Sequence, residues 1–85
     1  MSPVRVYSTL FCPYCSMAKR LLESKGVRYE EIRVDDDPTL RAEMTRISGR
    51  RTVPQIFVGQ THVGGFDDLS ALDRAGKLDS LLAGG

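Results

Sequence analysis

The stretch VRVYSTLFCPYCSMAKRLLESKG, residues 4–26, changes its hydrophobic period at Pro13. Before that proline, apolar and polar residues alternate with the two-residue period of a β-strand. After it, apolar residues recur at helical spacing up to a glycine, a residue type that commonly ends helices. Proline suits the first helical position, where its missing N–H would have no intrahelical partner. We therefore predict a strand over 3–8 and a helix over 13–25, with Cys12 at the helix N-cap.

The rest of the chain supplies six further elements by the same criteria. In order, we predict a strand over 27–34, a helix from Pro38 that ends at Gly49, strands over 56–58 and 61–63, and helices over 66–75 and 78–82. Asp36 or Asp37 caps the second helix, and Gly59-Gln60 is the turn of a hairpin. The order β-α-β-α-β-β-α-α predicts an α/β fold, in which a four-stranded mixed sheet is flanked by helices. Met17 and Met44 are predicted core residues, and His62 is placed on the hairpin surface.

Length and charge narrow the class of protein. With 85 residues, the chain is predicted to form one domain over 1–85. Its formal net charge is +1, and it has no basic run with interleaved aromatic residues, so we expect no nucleic-acid partner. No apolar stretch approaches the roughly 20 residues that span a bilayer. Arg5 interrupts the apolar pattern near the N-terminus, where a secretory signal would have an apolar core, so we expect a cytoplasmic protein.

The only two cysteines are Cys12 and Cys15, and three interpretations of them compete. A disulfide between them would close a loop of about four residues and contribute roughly 2 kcal/mol, which makes it a poor structural staple. A structural zinc site needs four ligands, and two cysteines with one histidine fall short, so no metal is expected. Inert core thiols rarely have this spacing at a helix start. Thiol–disulfide exchange explains the arrangement.

Exchange requires a thiolate, and a helix N-terminus stabilises one through its unpaired N–H groups and the positive end of its dipole. We therefore expect Cys12 to be an exposed nucleophile with a lowered pKa. Cys15 lies one turn further into the helix, closer to the core. It is predicted to attack the mixed disulfide on Cys12 and release the reduced substrate. Pro13 makes the turn between the two cysteines rigid.

Three motifs in fixed order resemble one family. They are CPYC at 12–15, TVPQIF at 52–57 and GGFDDL at 64–69. Together, and over essentially the whole length, the chain resembles the dithiol glutaredoxins, most of all the small bacterial ones. The resemblance implies a thioredoxin-like fold and a binding site for the tripeptide glutathione.

The resemblance also implies roles for individual residues. The predicted glutathione-binding residues are Arg41, Thr52, Val53, Pro54, Gly65, Phe66, Asp67 and Asp68. Pro13, Tyr14 and Pro54 are predicted to support the cysteines, with a cis peptide bond before Pro54. Val53 would pair its backbone with the cysteinyl amide as an added strand does. The N–H groups of Phe66 and Asp67 would bind the γ-glutamyl carboxylate at a helix start.

Two of these assignments leave alternatives open. Asp67 or Asp68 would bind the ammonium group while the other caps the helix, and position favours Asp67. Arg41 would bind the glycyl carboxylate. Thr9 stands where the family usually has a basic residue, a loss for which Arg50 or Arg51 would compensate.

The implied activity is glutathione-dependent reduction of protein disulfides and of protein–glutathione mixed disulfides. No tightly bound cofactor is expected: glutathione is the co-substrate, and NADPH contributes electrons through glutathione reductase. The expected partners are glutathione and disulfide-containing or glutathionylated proteins, ribonucleotide reductase among them, and the chain is predicted to be a monomer.

Two alternative functions stay open. Redoxins that take electrons from thioredoxin reductase for ribonucleotide reductase share the fold, but they usually lack the TVP and GGFDD motifs. Iron–sulfur cluster carriers bridge two chains through one cysteine each and two glutathiones. They mostly have serine and glycine where this chain has Cys15 and Pro13.

Overall fold

The computed structural model describes residues 3–84 and contains all eight predicted elements in the predicted order. They are β1 (Val4–Ser8), α1 (Pro13–Ser24), β2 (Glu30–Arg33), α2 (Pro38–Ser48), β3 (Gln55–Val58), β4 (Thr61–Gly64), α3 (Phe66–Arg74) and α4 (Leu78–Leu82). No helix among the described residues is long and apolar enough to cross a membrane.

The four strands form one mixed sheet in the order β2-β1-β3-β4. β1 runs parallel to β2, whereas β1 and β3, and β3 and β4, are antiparallel. This topology confirms the predicted four-stranded mixed sheet, and with it the thioredoxin-like fold that the resemblance implied. The ends of β1 and β2 and the start of β3 lie beside the segment that leads into the cysteine pair.

Apolar side chains cover both faces of the sheet. On one face, Val6 and Ile56 pack with Ala18 and Leu22 of α1 and with residues of α3 and α4. On the other face, a smaller cluster joins the sheet to α2; its buried members are Tyr7, Val34, Met44 and Phe57. The helix that begins with the cysteine pair therefore packs firmly against the sheet.

The C-terminus of α1 explains why β2 is shorter than predicted. The N–H of Gly26 donates to the carbonyl of Glu23 at 2.9 Å, and that of Val27 donates to the carbonyl of Leu22 at 3.1 Å. These two bonds are a Schellman motif, in which the residue after the glycine also packs on the helix. Val27 therefore closes the helix, and the strand predicted to start there starts at Glu30 instead.

The structure tests two further predictions, the cap of α2 and the burial of two methionines. Asp37, one of the two candidates, caps α2: its carboxylate accepts from the N–H groups of Thr39 at 3.0 Å and Leu40 at 3.1 Å. Met44 is fully buried, but the prediction of a core position for Met17 was wrong, because 42% of its surface is exposed. Helical spacing placed Met17 on the apolar face of α1, but it lies beside the buried stripe of that helix, whose members are Cys15, Ala18 and Leu22.

Candidate active site

Cys12 and Cys15 are joined as a disulfide at the start of α1, with their Cα atoms 5.1 Å apart. Cys12 is the N-cap residue, as predicted, and its sulfur accepts a hydrogen bond from the Cys15 N–H at 3.1 Å. Cys12 is half-buried, whereas Cys15 is 1% exposed. An incoming sulfur therefore reaches Cys12 more easily than Cys15. The same N–H group would stabilise a thiolate on Cys12 once the disulfide is reduced.

The loop before β3 brings a second backbone segment to the cysteines. The Val53–Pro54 peptide bond is cis, as the resemblance implied, and Pro54 is buried. The carbonyl oxygen of Val53 lies 3.9 Å from the sulfur of Cys12. In the disulfide form this is a contact, because the sulfur has no proton to donate. A molecule joined to Cys12 would lie directly against this loop.

The sequence did not reveal what holds this loop. The side-chain amide of Gln55 donates to the carbonyl and hydroxyl oxygens of Thr52, at 3.0 and 3.2 Å. Its remaining oxygen lies 2.7 Å from Nε2 of His62, so the imidazole must donate there. The pKa of His62 is lowered by burial and by Arg50 nearby, which keeps the ring neutral. His62 thus lies on the hairpin and also supports the loop. The one feature of the sequence that could have indicated this support is a polar residue, Gln55, beside an apolar strand.

The start of α3 shows different contacts for the two candidate aspartates. The carboxylate of Asp68 accepts from the N–H of Gly65 at 3.0 Å and pairs with Arg50 at 3.1 Å. These donors lower the pKa of Asp68, the Gly65 N–H most of all. Asp68, at the third position of α3, is therefore the aspartate that caps the helix start, through the N–H of the N-cap residue Gly65. Asp67 is exposed and makes no side-chain hydrogen bond within residues 3–84, so its carboxylate is free for a ligand.

Gly64 serves this cap in a way the sequence did not suggest. Its φ of 118° is in the region that disfavours side chains, and a Cβ there would lie 2.8 Å from Cγ of Asp68. The missing side chain of Gly64 makes room for the carboxylate of Asp68, while a Cβ on Gly65 would meet its nearest atom, the Pro54 carbonyl oxygen, at 3.6 Å.

A groove of about 280 Å³ runs between the Pro54 loop and the start of α3. Its lining residues are Tyr14, Arg50, Thr52, Val53, Pro54, Gly65, Phe66, Asp67 and Asp68. Tyr14 and Phe66 stack across it, with ring centroids 6.4 Å apart. The lining includes every residue predicted to bind glutathione except Arg41. Backbone, aromatic, cationic and anionic groups thus meet in one place, which suits a small zwitterionic peptide.

The predicted cations divide between two places. Arg41 is exposed on α2 and does not line the groove, but its guanidinium donates at 3.3 Å to the carbonyl of Arg51, which immediately precedes the lining residue Thr52. Arg50 lines the groove. Of the arginines considered, Arg50 is thus the one that the structure brings next to the predicted ligand-binding residues.

Two other features bear on the choice of site. A larger cavity of about 640 Å³ lies between β4, α3 and α4, but neither cysteine lines it. Within residues 3–84, no group of three or more His, Cys, Asp or Glu side chains is arranged to hold a metal ion. Neither cysteine lines the smaller groove either, but its lining includes Val53, whose carbonyl oxygen lies 3.9 Å from the sulfur of Cys12. The smaller groove is therefore the better candidate.

Comparisons with known proteins agree with this geometry. The glutaredoxin family model matches residues 4–63. A glutaredoxin from Pseudomonas aeruginosa is 60% identical over 83 residues, which cover 98% of this chain and 99% of that protein. Glutaredoxin 3 of Escherichia coli is 52% identical over 82 residues, covering 96% of this chain and 99% of that protein. The crystal structure of a buckwheat glutaredoxin–glutathione complex superposes with a TM-score of 0.89 at 36% identity, covering 96% of this chain and 77% of that one.

Proposed function

The chain belongs to the glutaredoxin family of thiol–disulfide oxidoreductases, and we propose that it draws its electrons from glutathione. The observation that carries the proposal is the groove beside Cys12, which has lining groups of both charges. The similar buckwheat structure was solved as a glutathione complex, which supports the same ligand here. The substrates we propose are protein disulfides and mixed disulfides between proteins and glutathione.

With a mixed disulfide, the reaction needs only Cys12. Its thiolate attacks the glutathione sulfur, a bond forms between these two sulfurs, and the bond to the substrate protein breaks. The electron pair leaves on the protein sulfur, which takes up a proton. A second glutathione thiolate then attacks the glutathione held on Cys12. This step releases oxidised glutathione and restores the Cys12 thiolate.

With a protein disulfide, Cys15 completes the reaction. Cys12 attacks one substrate sulfur, and the other leaves as a thiolate. Cys15 then attacks Cys12, which releases the second substrate thiol and forms the Cys12–Cys15 disulfide. That is the oxidised state of the pair in this structure. Two glutathione molecules reduce it in turn and become oxidised glutathione.

Each part of glutathione has a matching group in the groove. The backbone of Val53 would pair with the cysteinyl amide. The free N–H groups at the start of α3 would bind the γ-glutamyl carboxylate, and Asp67 would bind the adjacent ammonium. Arg50 is the cation of the groove and would bind a carboxylate. The role predicted for Arg41 stays a prediction, since Arg41 is not among the residues that line the groove.

Glutathione as the reductant also suggests the electron source and the substrates. We propose that NADPH supplies electrons through glutathione reductase, and that the chain works in the cytoplasm as a monomeric single domain. Its protein substrates would include glutathionylated proteins and disulfide enzymes of the ribonucleotide reductase type.

The test is turnover of the mixed disulfide between glutathione and 2-mercaptoethanol, coupled to glutathione reductase. Cys15→Ser should keep most of this activity, because the buried thiol takes no part in the mixed-disulfide route, whereas Cys12→Ser should abolish it. On a protein disulfide, both substitutions should abolish turnover. Equal loss in the two variants on the mixed disulfide would refute the assigned roles. Turnover with thioredoxin reductase instead of glutathione would favour the alternative redoxin.

A further inference from the structure

The exposed large apolar side chains of residues 3–84 all lie within eight residues of sequence. They are Leu10, 61% exposed, Phe11, 91%, Tyr14, 59%, and Met17, 42%. Scattered apolar residues on a surface are ordinary, but a contiguous group of them commonly marks an interaction site. We call these four residues the apolar platform. It flanks Cys12 on both sides in sequence.

The apolar platform is largely separate from the glutathione groove. Tyr14 lines the groove, whereas Leu10, Phe11 and Met17 do not. Met17 follows Tyr14 at a spacing of three residues on α1, so the two side chains are neighbours on the helix surface. The proposed ligand therefore accounts for one of the four exposed residues and leaves three without a function.

Polar contacts hold the platform's loop in place. The N–H of Leu10 donates to a carboxylate oxygen of Asp35 at 3.2 Å. Arg33 binds both oxygens of that carboxylate, at 2.9 and 2.6 Å, and lowers the pKa of Asp35 to about 2. Asp35 thus stays ionised at neutral pH and fixes the backbone that presents Leu10 and Phe11. A preorganised apolar surface loses less entropy on binding than a mobile one.

We propose that the apolar platform binds the protein half of the substrate, and that it favours substrates with a large apolar side chain next to the reacting cysteine. The inference rests on the proposed function. In each route a substrate sulfur must come within bonding distance of Cys12 or of the glutathione on it. When glutathione occupies the groove, the rest of the substrate extends over the remaining surface around Cys12. Leu10 and Phe11 directly precede Cys12 in the chain and Met17 lies in the helix that Cys12 caps, so these exposed side chains are candidates to contact that part of the substrate.

The preference acts at a defined chemical step. Cys12 attacks the glutathione sulfur of a glutathionylated segment, the bond to the protein sulfur breaks, and the electron pair leaves on that sulfur. Until the thiolate departs, the residue before or after the substrate cysteine is held against the platform. Burying a leucine there would be worth about tenfold in kcat/KM, a fraction of the full transfer free energy of the side chain.

The test uses two glutathionylated peptides that differ only in the residue before the cysteine, Leu in one and Ser in the other. The wild type should turn over the Leu peptide with a kcat/KM about tenfold higher, and Phe11→Ser should reduce that ratio to about twofold or less. Ala42→Ser, on an exposed part of α2 that lines none of the cavities near Cys12, should keep the ratio. The mixed disulfide with 2-mercaptoethanol has no side chain to reach Phe11 and provides the reference rate for every variant.

The outcomes separate this inference from the proposed function. No turnover of the 2-mercaptoethanol mixed disulfide by the wild type would refute the proposed function. Normal turnover of it, with equal kcat/KM for both peptides, would overturn the apolar platform alone. An equal slowing of all three substrates by Phe11→Ser would also overturn it. So would equal kcat/KM for the two peptides together with a dimer in sedimentation that dissociates in Phe11→Ser. In the last case, the occupant of the surface would be a second copy of the chain.

Discussion

Asp67 and Asp68 are neighbours in the chain, but their contacts predict opposite effects on substitution. Asp68→Ala removes the bond to the Gly65 N–H and should lower the free energy of unfolding by about 0.5–1.5 kcal/mol, the usual net contribution of one hydrogen bond. Asp67→Ala loses only an interaction with the helix dipole, about 0.3–1 kcal/mol. It should instead raise the KM for glutathione several-fold, because the proposed partner of the ammonium group is gone. Urea unfolding and the coupled assay on both variants measure the two effects.

The contribution of Asp68 should also depend on pH. Because folding lowers its pKa, the carboxyl stabilises the fold above its unfolded pKa of about 3.9. This contribution is lost as the pH falls through the folded pKa. The difference in unfolding free energy between wild type and Asp68→Ala should therefore be constant from pH 7 to about pH 5 and shrink below about pH 4. A difference that grew on acidification would contradict the cap.

Sequence reasoning succeeded at single residues where the chemistry is local. Cys12 and Pro13 follow from the rules for helix starts, and both lie where those rules put them. The contacts of Arg50 with Asp68 and of His62 with Gln55 could not be predicted, because only the fold brings these partners together. Tertiary contacts of this kind leave no period or motif in the sequence.

At the scale of elements, α2 offers a matched pair of aspartates. Asp37→Ala removes the acceptor of two N–H groups at the helix start and should cost about 1 kcal/mol of unfolding free energy. Asp36→Ala, one residue earlier and exposed, should change it by less than about 0.5 kcal/mol. Urea unfolding of the two variants measures both changes in the free energy of unfolding. Equal losses would mean that charge rather than capping is responsible.

Element types were easier to predict than element ends. Helix periodicity and the Pro13 and Pro38 starts gave every helix its correct place, since both signals are local. The predicted start of β2 was wrong, because an apolar residue after a glycine can either begin a strand or close the preceding helix. Val27 does the second, and only its hydrogen bond to Leu22 distinguishes the two.

At the scale of the whole molecule, the sheet separates two apolar clusters, and α1 packs on one face while its first turns reach the active site. Met17 and Met44 were both predicted as core from helical spacing, yet only Met44 is buried. An amphipathic pattern reports that a helix has an apolar face, but not where the buried stripe on that face ends. Met17, beside the buried Cys15 and Ala18, was therefore mistaken for core.

The two methionines give the final prediction, which concerns the stability of the whole chain. Met44→Ala empties a fully buried position between α2 and the sheet and should lower the free energy of unfolding by about 2–5 kcal/mol. Met17→Ala removes the same side chain from an exposed position and should change it by about 0.5 kcal/mol or less. Urea unfolding should show a shifted midpoint with an unchanged slope for Met44→Ala. Both clusters share the strands β1 and β3, so a single transition should report the loss of both together, as expected of one domain. Two separate transitions would mean that the two faces of the sheet are stabilised independently. Comparable losses of unfolding free energy in the two variants would mean that Met17 is buried.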